Sequence, residues 1–275
     1  MIRSLQQLIC PLDGGLLELT ERSWRCQQGH SFDIARQGYV NLLPVQNKRS
    51  KDPGDSKLMV QARRRFLEQG YYQPLADALT ETVLATGDQS LLDAGCGEGY
   101  YLAKLINAAE SKAVSLSVAA LDISKWAVQV AAKQDRRPDW IVASNGSIPL
   151  ADQSLDTLIC VFGFPVVDEF KRVLKPGGRL IMVDPGTTHL QELKALIYAD
   201  QKQKTEVLPI NDTEFQLYSE QRVSFPVSLS SAQDISDLLT MTPHLYRSQA
   251  KGREQVMQRT ALELTADAWI RVFTR

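Results

Sequence analysis

Leu91-Leu92-Asp93-Ala94-Gly95-Cys96-Gly97-Glu98-Gly99-Tyr100 organises the rest of the chain. An apolar run leads into an acidic residue, then glycines at three alternate positions, then a helical pattern at Leu102, Leu105 and Ile106. Strand, tight turn and helix in that order are what an open α/β sheet needs at a ligand-binding crossover. Glycine lets the backbone come close to a ligand, and the new helix presents unpaired N–H groups beside it. A dinucleotide site wants G-x-G-x-x-G around a pyrophosphate. Here the third glycine comes one residue early, and Asp93 stands two residues before the first. A carboxylate facing the ligand suits an uncharged or cationic group better than a phosphate.

The resulting pattern, D-x-G-x-G-x-G, resembles motif I of the Rossmann-like S-adenosylmethionine methyltransferases. Val118 to Ser124 reads as a second strand ending at Asp122, where an acid hydrogen-bonds ribose hydroxyls and Ser124 caps the next helix. Asp156 to Phe162 reads as a buried strand, and Leu174-Lys175-Pro176-Gly177-Gly178 resembles the turn before the fifth strand of the same enzymes. The expected fold is α/β, a Rossmann-like class I methyltransferase with a seven-stranded sheet plus a small N-terminal zinc-ribbon-like module. Residues 1–46 are expected to form the ribbon-like module, 47–70 a basic linker and helix, and 71–275 the methyltransferase domain.

At 275 residues and 44% hydrophobic, the chain is long enough for one sizeable core and a small appendage. Four scattered cysteines argue against a disulfide framework. Leu8-Ile9 is followed at once by Cys-Pro and Asp-Gly-Gly, which does not read as a signal peptide, and no apolar run approaches the roughly 20 residues a bilayer requires. A soluble, cytoplasmic protein without a membrane partner is expected. The net charge of −1 hides an asymmetry, because residues 1–74 hold 11 Lys/Arg against 7 Asp/Glu while the remainder hold 20 against 25. Within 36–65 the basic residues Arg36, Lys48, Arg49, Lys51, Lys57, Arg63, Arg64 and Arg65 face only Asp52 and Asp55. That excess suggests a polyanion on the N-terminal side, or a solvated linker and helix face.

Cys10-Pro-Leu-Asp13 and Cys26-Gln-Gln-Gly-His30 form two short knuckles, as zinc ribbons are built. A first knuckle is usually Cys-x-x-Cys, and Asp13 stands in its second position. Cys10, Asp13, Cys26 and His30 are therefore candidate metal ligands, with weaker zinc binding expected from the carboxylate. A metal-free ribbon with an ordinary turn at Asp13-Gly14-Gly15 is the alternative. Asp55 is expected to cap a helix carrying Leu58, Met59, Ala62, Phe66 and Leu67, from which Arg63, Arg64 and Arg65 fan out to contact phosphate. Phe162 and Phe164 lie where the fourth strand runs out, placed to stack on an extruded base or to pack in the core. Asp184 and His189 close the fifth strand at the same rim. The runs 221–230 and 264–274 read as a final pair of strands with a helix from Ser231 to Leu239 between them; Thr242 to Thr260 has no assigned element.

A narrower resemblance is carried by Gly38-Tyr39-Val40-Asn41-Leu42-Leu43-Pro44-Val45-Gln46, Lys51-Asp52-Pro53-Gly54-Asp55, Gly97-Glu98-Gly99-Tyr100-Tyr101 and Pro185-Gly186-x-x-His189-Leu190. These runs look like the RlmA-type bacterial large-subunit (23S) ribosomal RNA (guanine-N1) methyltransferases. The resemblance implies an N-terminal zinc ribbon, a guanine target in a hairpin loop of 23S ribosomal RNA, and a homodimer. It also implies an S-adenosylmethionine site that includes Tyr72, Gly97, Glu98 and His189, beside the Asp93, Gly95 and Asp122 read from the motifs. Guanine N1 carries a proton near neutral pH, so a neighbouring group must accept it, and Asp184 and His189 are both candidates. A methyltransferase acting on a small metabolite and a non-catalytic RNA-binding protein remain as other readings.

Overall fold

The computed structural model describes every residue except 6, 48–49, 51, 199–207, 211–212, 214 and 245–248. Lys48, Arg49 and Lys51 of the basic run therefore lie outside the described residues. The chain begins with short strands β1 (Ile2–Ser4), β2 (Glu18–Thr20), β3 (Ser23–Arg25), β4 (Ser31–Asp33) and β5 (Tyr39–Asn41). Helices α1 (Lys57–Glu68) and α2 (Gln73–Leu84) follow. Alternation then sets in with β6 (Ser90–Ala94), α3 (Tyr100–Ser111), β7 (Leu116–Asp122), α4 (Lys125–Gln134), β8 (Asp139–Val142) and β9 (Leu155–Val161). It continues through α5 (Val167–Val173), β10 (Leu174–Pro185), α6 (Gln191–Ile197), β11 (Gln216–Leu229), α7 (Ala232–Met241), α8 (Ala250–Met257) and β12 (Leu262–Thr274).

The main sheet runs β11-β12-β10-β9-β6-β7-β8-β5, with β1 also beside β7, and β12 is the antiparallel member. The seven expected strands, β6 to β12, are all present. Among the described residues the sheet is nevertheless nine-stranded, because β1 pairs with β7 and β5 with β8. Three-residue strands carry too little alternation to be read from sequence, and their backbone pairing caps an edge that would otherwise stand open. Alternate residues of the central strands point to opposite faces, as period-two geometry requires. Leu91, Val118, Ile159 and Ile181 enter one apolar core, while Leu92, Leu121, Leu158 and Met182 enter the other. Leu5, Leu8, Leu17 and Trp24 of the ribbon share this second core. Residues 1–46 are thus packed onto the body, and Asp139 takes hydrogen bonds from Ser4 Oγ and the Leu5 N–H.

Ser56, not Asp55, caps α1, accepting from the Met59 N–H at 3.3 Å. Ser124 caps α4 as expected. The region after Thr242 contributes α8, whose first residues lack the strong cap signals from which a helix is read. Among the described residues no helix is long and apolar enough to cross a membrane.

The strand order reverses between β6 and β9, so a crevice opens beyond the carboxyl ends of the central strands. The turn entering α3 holds Gly95, Gly97 and Gly99 at φ of 89°, 56° and 85°. A Cβ on Gly99 would stand 2.8 Å from Trp140 Cη2 and 3.2 Å from Ala131 Cβ. Gly99→Ala is therefore expected to lower the unfolding free energy by about 2–4 kcal/mol, from left-handed strain plus overpacking, as read by urea unfolding.

Candidate active site and metal centre

β6 delivers Asp93 to the crevice, and the turn after it is tied to β7 by the Gly95 and Cys96 N–H groups, which donate to the Leu121 carbonyl. Asp122 at the end of β7 accepts from the Gly97 N–H at 3.0 Å and from the Ser124 N–H at 2.7 Å. Asp93, Glu98 and Asp122 thus converge on one glycine turn. Burial pushes Asp93 up to about 8, and the negative charges of Asp122 and Glu98 add to that. Burial also raises Glu98 to about 7 against the opposing pull of Arg63. Asp122 is raised by burial, and the Ser124 and Gly97 N–H groups partly offset it.

Asp93 Oδ1 and Glu98 Oε2 are buried, with no hydrogen-bond partner among the described residues. A side chain at Gly95 would meet only Asn145 Nδ2, at 4.0 Å, so the backbone there is open to close approach. Unpaired buried acceptors above an open glycine turn fit a ligand rich in cations and hydroxyls. S-adenosylmethionine is such a ligand, with an ammonium, a sulfonium and a ribose diol.

Beside this pocket lies an aromatic cluster. Tyr72, buried ahead of α2, has its ring centroid 6.2 Å from His189, 6.5 Å from Phe162 and 6.1 Å from Phe225. Phe162 and His189 are 5.6 Å apart. Phe162 takes a left-handed φ of 51° and is 37% exposed, whereas Phe164 is 84% exposed on the rim. Phe162 thus both packs and borders the opening. The Phe162 N–H bonds the Val183 carbonyl, which sets Asp184 alongside. Asp184 Oδ2 is buried and unpartnered, and burial lifts the carboxyl to about 6 with Arg271 opposing.

His189 differs in kind. The Asp267 N–H donates to its Nδ1 at 3.2 Å, so Nδ1 is an acceptor and the neutral ring carries its proton on Nε2. Burial, with Lys194 adding, lowers the ring to about 4. Asp267 itself was not singled out from sequence. It is fully buried and accepts from Arg222, from the Thr188 N–H and from Thr188 Oγ1; these donors outweigh burial and hold it near 2. The available signal was an acid inside the apolar run Ala266-Asp267-Ala268-Trp269. Phe225 was also missed, since it sits in an ordinary alternating strand.

The three arginines of α1 do not act as one basic patch. Arg65 makes two bonds to the buried Asp237 carboxylate, and Arg64 pairs with Glu68 one turn on. Arg63 turns inward, 2.5 Å from Asp55 Oδ2 and 3.8 Å from Glu98 Oε2.

Cys10, Asp13, Cys26 and His30 come together at the two knuckles, their candidate ligand atoms all within 4.8 Å of one another. His30 Nδ1 lies 3.5 Å from Cys10 Sγ, 3.4 Å from Cys26 Sγ and 2.8 Å from Asp13 Oδ2. A tetrahedral zinc with bonds of about 2.0–2.3 Å places its ligand atoms roughly 3.3–3.7 Å apart, so the set fits zinc with slight expansion. The two sulfurs are buried, which suits a structural ion.

An open sheet with this strand order, an acidic glycine turn and an acid closing the next strand together define a class I S-adenosylmethionine-dependent methyltransferase. Comparison with known proteins agrees. The family described as RlmA, N-terminal, a zinc ribbon, matches residues 8–51, and the family described as methyltransferase domain matches 92–182. A Streptomyces fradiae protein named 23S rRNA (guanine(748)-N(1))-methyltransferase is 37% identical over 194 residues, covering 69% of this chain and 67% of that protein. A Micromonospora griseorubida protein is 39% identical over 210 residues, covering 69% of each. A Bacillus subtilis protein is 32% identical over 205 residues, covering 71% of this chain and 70% of its own. Both are named for 23S rRNA (guanine-N(1)-)-methyltransferase activity. The chain belongs to the RlmA-type 23S rRNA guanine-N1 methyltransferase family.

The carboxylate in the metal set has a measurable consequence. Asp13→Cys should tighten zinc at least about tenfold in chelator competition, and Asp13→Ala should loosen it by a similar factor, because thiolate is the softer and stronger ligand.

Proposed function

We propose that the chain transfers a methyl group from S-adenosylmethionine to N1 of a guanine in a hairpin loop of 23S ribosomal RNA. The observation that carries this reading is the pairing of exposed aromatics, Phe162 and Phe164, with the buried, unpartnered carboxyl of Asp184. Loops of RNA offer unstacked bases that splay onto aromatic rings, each stack contributing about 1–3 kcal/mol. The donor supplies a methyl already activated on sulfonium. The chain's own residues must align the base and take up the N1 proton. Asp184, at about 6, is ionised at neutral pH and is the acceptor in this reading. His189 has its Nδ1 committed to a backbone donor, so it serves as a hydrogen-bond donor through Nε2 rather than as the base. Arg64 and the basic linker are assigned to phosphate. The same reading includes a homodimer, checked by the mass of the protein in solution.

The test is transfer of labelled methyl to large-subunit ribosomal RNA from cells lacking this protein, with the modified base mapped. Label at N1 of one guanine is expected. No label with donor binding intact would sink the RNA reading and put a small metabolite first. If Asp184 is the acceptor, the rate should rise with pH through about 6 and then level off. Asp184→Asn should cut kcat by about 10²–10⁴-fold, abolish that inflection and leave donor affinity unchanged.

A further inference from the structure

We propose that Arg63 holds the α-carboxylate of the methyl donor. This rests on the methyltransferase class of the site and is independent of which nucleotide is modified. The donor carries an ammonium, a sulfonium and a ribose diol, for which Asp93, Glu98 and Asp122 are the natural partners. It also carries one carboxylate, whose natural partner is a cation rather than a cluster of acids. The cation beside them is Arg63, whose positive charge opposes the rise of both Glu98 and Asp122.

Its position is over the turn itself. Nη1 lies 3.7 Å from where a Cβ on Gly97 would stand and 3.8 Å from the unpartnered Glu98 Oε2. The guanidinium is already engaged with a carboxylate, Asp55 at 2.5 Å, which shows that it accepts such a partner in this orientation. Nη2 donates to the Met241 carbonyl at 3.2 Å. A guanidinium has five N–H donors in a planar fork, so donors remain for a second carboxylate.

The segment that carries Asp55 is fixed on the loop that carries Asp122. Ser124 Oγ donates to the Asp55 carbonyl at 2.7 Å. Gly54, at φ 80°, packs so closely that a Cβ would stand 2.8 Å from Ile123 Cγ2 and 3.0 Å from the Ser124 nitrogen. Arg63 is therefore held from three sides, by the linker, the end of α7 and the glycine turn. Phosphate contact would require it to leave Asp55 and Met241, whereas the exposed Arg64–Glu68 pair is more easily exchanged, so the RNA reading gives that role to Arg64.

The experiment is calorimetric titration of the full-length protein with S-adenosylhomocysteine and with its decarboxylated analogue, which keeps the adenosine, thioether and amine. The native protein should prefer S-adenosylhomocysteine by about 10–100-fold, the usual worth of a charge-assisted pair. Arg63→Met should shrink that preference to within about threefold while the analogue binds nearly as before. Arg63→Lys should leave an intermediate preference and serves should the methionine variant not fold. Native protein that does not distinguish the two ligands would overturn the proposal. So would a variant that loses affinity for both ligands equally, which marks a structural role, or one that keeps the full preference. No RNA enters the measurement, so its failure is distinct from failure of the RNA reading.

Discussion

Three carboxyl groups buried around one backbone turn are the constraint to which the rest of this molecule answers. Asp93, Glu98 and Asp122 repel one another and have lost water, which is why all three are raised. The fold offsets this with backbone donors where it has them. The Gly97 and Ser124 N–H groups both serve Asp122, and Gly97 reaches it only because the turn adopts a left-handed φ. Among the described residues, Asp93 and Glu98 each keep an oxygen with no hydrogen-bond partner. A native fold retains such groups where a ligand completes them, so the strain sits where binding energy is available to relieve it.

The ribbon and the sheet are linked more closely than their sequences suggest. Residues 1–46 contribute two strands to the main sheet and several side chains to one of its cores, so the metal knuckles are anchored to the body through Leu8, Cys10 and Cys26. The linker beyond them does not hang free between two bodies. Its Asp52 to Ser56 stretch is seated on the Asp122-Ile123-Ser124 loop, through Gly54 and the Asp55 carbonyl.

This arrangement explains which features could be read from residues alone. The glycine turn, the two acids that flank it and the seven long strands follow from periodicity and from short-range spacing, which local sequence encodes directly. Ser124 was legible as a cap for the same reason. The added strands β1 and β5 were not, because three residues do not establish a period and their pairing depends on a distant edge. The partners of the three α1 arginines are hidden for a related cause. Three consecutive arginines fan out, as about 100° between helical neighbours requires, but each meets a different carboxylate: Asp55, Glu68 and Asp237. Long-range partners of that kind leave no local signature.

The two candidate proton-handling groups show how environment separates roles that sequence leaves equivalent. Asp184 and His189 both close the fifth strand, and either could be written as a base. Burial moves them in opposite directions, the carboxyl up to about 6 and the imidazole down to about 4. The carboxyl is ionised near neutral pH with an oxygen free to accept, while the imidazole is neutral with its accepting nitrogen already used. Asp267 orients the His189 ring from outside the pocket. Its side chain binds Thr188 and Arg222, and its N–H fixes the His189 tautomer. The Asp267 backbone thus fixes the His189 tautomer, while burial and Lys194 keep the ring neutral. On the proposed reading this leaves Asp184 as the acceptor and His189 as the donor, a division that follows from hydrogen-bond direction before any pKa is considered.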